Sequence, residues 1–271
     1  MKQRTRGQYR LIFTAFGAML VFLALILWQG VRRGDAVRVG VPRSAGAMGA
    51  AMLLQTPSAQ YHCALGSTPQ ALATALEENE LDAALLPYTL AQALDNCEIR
   101  AVVGHEPLVV LTRQGEKLSL GDLNGSVLTL PEPLRGAQAE TMLRQALREG
   151  GVRCRIVYGE PADPYVCDAD TAAALLAARD GWHAALSVSD AWRKLLDADP
   201  PPGLCLAVRR DYLSSSGSDY SAFERALQNS LRYSNEKRKK TVAMAVAAGL
   251  ADSEDAADEL YGCLDFFWRE E

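Results

Sequence analysis

The chain has 271 residues, 49% of them hydrophobic, and a formal net charge of −5. Six of its 28 basic residues fall in the first 34, which hold no acid, so the remaining 22 face 33 acids and give the rest of the chain a net charge of −11. An acidic body of that size lacks the basic footprint that nucleic-acid binding requires. It is long enough for one large domain or for two lobes of about 100 residues each.

The first element is apolar. Residues 11–29 read LIFTAFGAMLVFLALILWQ, and no charge lies between Arg10 and Arg32. A helix needs roughly 20 such residues to span a hydrocarbon core. Lys2, Arg4, Arg6 and Arg10 precede the run, which orients the N-terminus to the cytoplasm and puts everything from about Asp35 on the far side. A cleaved signal has a shorter apolar region and a small-residue cleavage site. This run is longer and no such site follows it, so it reads as an uncleaved single-pass anchor in the cell membrane. The six cysteines that follow suit disulfides outside the cell, or equally free buried thiols, and sequence cannot choose among 15 pairings.

Beyond the anchor, strands and helices alternate. Residues 36–41 alternate and are β-branched, predicting a strand ended by Pro42. A helix over 47–54, a strand over 60–65 and a helix over 70–80 follow, the last opened by Ser67 or Thr68 as cap with Pro69 in the first turn. Strands are predicted at 81–86, 99–103 and 108–112, with a short helix at 89–94. The pattern restarts with strands at 126–130, 153–157 and 182–188. Helices at 137–148, 171–179 (capped by Asp170) and 189–197 lie between and after them. One strand at 204–208 precedes a helical end, in which Asn235 caps a helix over 236–248 and Ser253 caps a last helix carrying Leu260, Leu264 and Phe267. Such alternation predicts an α/β protein with mainly parallel sheets flanked by helices.

Particular stretches sharpen this expectation. They are VRVGV (37–41), LDAALLPYT (81–89), LSLGDLNGSVLTLP (118–131), TAAALLAARDGWHAALSVSDAW (171–192), and AVRRDYL (207–213) with the helical run 223–249. In that order they resemble the type II periplasmic-binding-protein fold, and within it the nitrate/sulfonate/taurine and thiamine-pyrimidine group of ABC-transporter solute-binding proteins. The resemblance covers nearly all of the chain after the anchor. There are departures. No lipobox cysteine lies near residues 20–35, Trp182-His183-Ala184 stands where the group has Asp-Ala, and Ser189-Asp190 replaces its usual proline.

The resemblance implies two lobes, residues 35–112 with 204–271 as the first and 113–203 as the second, with crossovers near 111–113 and 203–206. It implies an extracytoplasmic protein that captures a small anionic or pyrimidine-like solute between the lobes and delivers it to an ABC-transporter permease. A membrane-tethered sensor or scaffold without a transport role is the alternative. An enzyme on this fold is disfavoured by the export segment, and no cofactor or metal is expected: the histidines are scattered and no nucleotide, dinucleotide or nucleophile-elbow motif occurs.

In such sheets ligands sit beyond the carboxyl ends of strands. The candidate ligand-binding residues are therefore strand-end residues. They are Arg43, Ser44 and Gly46, then Pro87, Tyr88 and Thr89, and Glu106 near the crossover. From the second lobe come Leu134, Arg135, Gly136 and Gln138, then Ser187, Ser189 and Asp190. The loop PEPLRGAQ (131–138) leads into a helix whose free N–H groups would favour an anion, with Arg135 as a planar two-donor contact.

Overall fold

A computed structural model describes residues 36–215 and 218–271. The apolar run 11–29 lies outside them. Among the described residues no helix is long and apolar enough to cross a membrane.

The first strand shows how the sequence builds the rest. In β1 (Val37–Pro42), Val37, Val39 and Val41 are fully buried, while Arg38 turns outward onto Asp82 at 2.7 Å. Ser44 then caps a 3-10 turn (Ala45–Ala50) that runs into α1 (Ala51–Gln55). The segment expected to form one α-helix over 47–54 is instead a 3-10 turn running into a short α-helix, as is frequent at helix N-termini. Then come β2 (Tyr61–Gly66), α2 (Pro69–Glu77), β3 (Ala83–Pro87), α3 (Tyr88–Gln92) and β4 (Cys97–His105). Thr68 caps α2 by accepting from the Ala71 N–H at 3.1 Å, with Pro69 in the first turn as expected.

The chain crosses at Glu106 and Pro107 into β5 (Leu108–Thr112). β6 (Val127–Leu130), α4 (Gln138–Glu149), β7 (Arg155–Tyr158), β8 (Tyr165–Asp168), α5 (Ala169–Ala177), β9 (His183–Ser187) and α6 (Val188–Leu196) follow. β10 (Pro202–Arg209) returns to the first sheet, and α7 (Arg210–Ser215), α8 (Ser218–Glu236), α9 (Arg238–Ala247), α10 (Glu254–Tyr261) and β11 (Arg269–Glu270) complete the chain.

Two sheets result: a six-stranded one in the order β11-β4-β10-β3-β1-β2 and a five-stranded one in the order β7-β6-β8-β5-β9. Both are mixed rather than mainly parallel. β1, β2 and β3 run together, as do β6, β7 and β8, whereas β10 is antiparallel to β3 and β4, and β5 to β8 and β9. The reason is topological. Strands made by local β-α-β units share a direction, but a strand arriving from the other lobe enters its sheet from the facing end. β5 is such a strand. The segment 108–112, expected to close the first lobe, belongs to the second sheet, and the crossovers lie at Glu106–Pro107 and just before β10.

Each sheet buries its own faces. Phe223, Leu227 and Leu231, at helical spacing on α8, pack with the β1 valines. Leu128, Leu130, Met142, Leu143 and Trp192 form a core in the second lobe. A third cluster joins them: Ala45 of the first lobe and Leu260 and Cys263 from the C-terminal region pack with Val109, Leu111, Ala172 and Trp182. Here α10 leaves the first lobe to lie on α5 and β9, and Ala184 N–H donates to Glu259 Oε1 at 2.7 Å. β11 then returns to β4. The last helix ends at Tyr261, so Leu264 and Phe267 lie beyond it, and the expected cap Asn235 falls inside α8. All six cysteines are free thiols, four of them buried.

Candidate functional site

The parallel strands of both sheets end toward each other. β1, β3 and β4 finish at Pro42, Pro87 and His105, and β8 and β9 at Asp168 and Ser187. Between these ends lies a cavity of about 180 Å³, bounded by Ser44, Pro87, His105, Glu106, Asp168 and Asp170 among others.

The two crossovers form its floor. Glu106 N–H donates to Pro201 O at 2.9 Å, and Ser189 Oγ donates to Glu106 O at 2.7 Å. Gly203 permits this closeness: a Cβ there would lie 2.4 Å from His105 O. Glu106 is half-buried, and its carboxyl group has no hydrogen-bond partner among the described residues. Burial, then repulsion from Asp168, pushes its pKa up to about 7.

The second lobe supplies two more carboxylates. Asp168 ends β8 and caps α5, accepting from Asp170 N at 3.0 Å and from Thr171 N and Oγ1 at 2.9 Å. Asp170, in the first turn of α5, reaches across to the first lobe. Its Oδ1 accepts from Ser44 Oγ at 2.8 Å and from Ala45 N at 2.7 Å. Burial raises the Asp170 pKa against those hydrogen bonds.

One side wall is a closed ionic cluster. Arg193 lies 3.0 Å from Asp190, 2.8 Å from His105 Nδ1, and against Asp265. Burial works to raise the Asp265 pKa, but hydrogen bonds from His105 and Arg193 outweigh it and hold the group below the usual carboxylate range. His105 Nε2 is buried with no partner.

Of the residues expected to face a ligand, the cavity gathers Ser44, Gly46, Pro87 and Glu106. Ser189 supports it from behind through Glu106 O, and Gln138 Nε2 donates to Pro202 O at 3.5 Å, beside the second crossover. The others lie elsewhere. Arg43 is exposed on a separate groove near Gly249, Tyr88 packs with the first-lobe core, and Thr89 is exposed. Ser187 caps α6, and with Asp190 it borders a larger cavity of about 530 Å³ on the flank of the second lobe. That cavity is bigger, but only the smaller one has strand ends of both sheets around it, so the smaller is the better candidate.

The 131–138 loop turns its chemistry inward. Leu134 packs on the second core, Gly136 N–H donates to Glu140 Oε2 at 2.6 Å, and Arg135 pairs with Glu132 at 3.0 Å while stacking 4.2 Å over Tyr158. The anion expected at this loop is pre-empted by the helix's own Glu140, a buried carboxylate that also bonds Arg144 and Tyr158. Sequence reasoning missed His105, Asp168, Asp170 as a cleft residue, and Asp265. The signal for Asp168 and Asp170 was Tyr165-Val166-Cys167-Asp168, a four-residue strand that ends at the first and leads into the helix turn that carries the second.

No protein-family profile matches the chain, and no curated protein matches it. Solved structures do. An ABC transporter protein from Parabacteroides distasonis superposes with a TM-score of 0.66 at 13% identity, over 87% of this chain and 86% of that one. The periplasmic aliphatic sulphonate binding protein SsuA from Escherichia coli gives 0.55 at 16% identity, over 88% and 81%. The alkanesulfonate-binding protein SsuA from Xanthomonas axonopodis pv. citri, bound to MOPS, gives 0.52 at 13%, over 85% and 84%. Identities this low speak for architecture alone. Two sheets joined by paired crossovers around a cleft, and these likenesses, give the chain the fold of the type II periplasmic binding proteins.

Proposed function

We propose that this chain is the solute-receiving component of an ABC importer. It holds a small molecule, chemically unchanged, in the cleft between its lobes and delivers it to a permease. The observation that carries this reading is the interlobe cavity itself, where strand ends from both sheets bring polar groups together and the Glu106 carboxyl has no protein partner. Hinge closure on the solute is the mechanism such an arrangement supports. The apolar run 11–29, with basic residues before it, would tether the chain to the cell membrane with its lobes outside.

The test is a thermal-shift screen of the full-length protein against small solutes of both charges. A ligand at a hundredfold excess over its Kd should stabilise by about 2.7 kcal/mol. Silence across the panel would count against solute capture. One observation favours the second reading, a tethered sensor or scaffold. Asp170 bridges the lobes through Ser44 and Ala45 with protein groups alone. Failure to co-purify with any permease, together with solute binding, would favour the sensor.

A further inference from the structure

The ligand chemistry of the cleft can be read from its lining. Glu106, Asp168 and Asp170 come from three separate positions and converge on the cavity. Asp168 and Asp170 are partly satisfied by backbone N–H groups and hydroxyls, and Glu106 by none. No lysine or arginine lines the cavity among the described residues. The guanidinium behind the His105 wall, that of Arg193, is occupied by Asp190, Asp265 and His105. Of the cations expected to meet an anion, Arg135 stacks on Tyr158, and Arg43 lines an adjoining groove on the other side of Asp170 rather than the cavity itself. A carboxylate or sulfonate in this cavity would meet like charge with nothing to neutralise it, and burial magnifies that repulsion.

A second, independent feature also points to a ligand. His105 is one of the residues around the same cavity; its side chain is only 6% exposed, with Nε2 unpartnered among the described residues and Nδ1 between Arg193 and Asp265. A buried ring nitrogen left unpaired costs free energy comparable to a lost hydrogen bond. Nε2 is shut off from the cavity in this structure, so hinge closure that brought a polar solute against the ring would be needed to supply the missing partner.

We infer that, within the solute-binding reading on which this rests, the cleft takes a cation: a small solute carrying an ammonium or amidinium group held by Glu106, with Asp168 and Asp170 adding to the negative field, and a neutral polar group for His105. A volume of about 180 Å³ restricts it to a small molecule. Its charge would also offset the burial, and the repulsion from Asp168, that raise the Glu106 pKa to about 7. This reverses the sign of the solute that the sequence resemblance implies.

The experiment is calorimetric titration of the full-length protein with ethanolamine, choline, putrescine and acetamidine, alongside ethanesulfonate and 1-propanol as anionic and neutral counterparts. At least one ammonium or amidinium compound should bind, and the anionic and neutral counterparts should not. Glu106→Gln, which keeps shape and removes charge, should weaken that binding by about tenfold or more, the loss expected for one charged hydrogen bond. Binding of ethanesulfonate without any cation would overturn the inference and leave solute capture standing. A cation bound equally well by Glu106→Gln would overturn the assigned contact. No binding by any compound, in this panel or the wider screen, would sink both readings. If the variant does not fold, the charge comparison on the wild type decides alone.

Discussion

At the scale of single residues, the cleft combines groups that fold the chain with groups that burden it. Glu106 is a burden. Burial first, and Asp168 second, raise its pKa from 4.5 to about 7. The folded chain therefore keeps a proton that the unfolded chain releases, and this contribution to stability falls as pH rises from about 4.5 to 7 and is level above. Glu106→Gln should leave stability near wild type at pH 4 and raise it at pH 8, on the order of 2 kcal/mol, in urea melts at the two pH values. An unchanged difference between the two pH values would refute the assignment. The substitution that weakens solute binding should thus strengthen the free protein, a trade-off common at binding sites. Gly203 is the opposite case. A Cβ would meet backbone atoms of His105 and Glu106 at 2.4 to 2.6 Å, so Gly203→Ala should lower stability by about 2 kcal/mol in a thermal melt.

Elements were legible where pattern and punctuation agreed. Val37, Val39 and Val41 announced β1, and Thr68 with Pro69 announced α2. β8 was not, because three residues between Pro164 and the cap Asp168 carry too little periodicity to register. That single omission hid half the site, since Asp168 and Asp170 count as strand-end residues only once the strand is known. Strand direction was also hidden. Whether β5 joins the sheet before or after it depends on contacts far away in sequence, which its run of buried residues, Leu-Val-Val-Leu-Thr, does not encode. The Pro131–Gln138 loop misled for a local reason: its N–H and guanidinium groups look free in sequence but find Glu140 and Glu132 within nine residues. For α5, Asp168→Ala should remove the cap and lower stability by about 1 kcal/mol, measured by denaturant unfolding.

At the scale of the whole molecule, the lobes touch through Asp170, which accepts from Ser44 and Ala45. Asp170→Ala should let the free protein spend more time open, visible as a larger radius of gyration in small-angle scattering. Superimposable scattering curves for variant and wild type would show that the contact does not hold the lobes. The C-terminal helix α10 bears on the same motion. It belongs by connectivity to the first lobe, yet Leu260, fully buried, packs in the cluster shared with β5 and α5. The lobes cannot part widely unless that seam gives way. If the cleft captures a solute as proposed, its exchange would be timed by the seam rather than by diffusion, with slow association and a steep temperature dependence. Leu260→Ala, at a cost of about 3 kcal/mol in stability, should quicken arrival and departure of the solute together in stopped-flow traces while moving the equilibrium affinity much less. In that case α10 would act as the protein's clock.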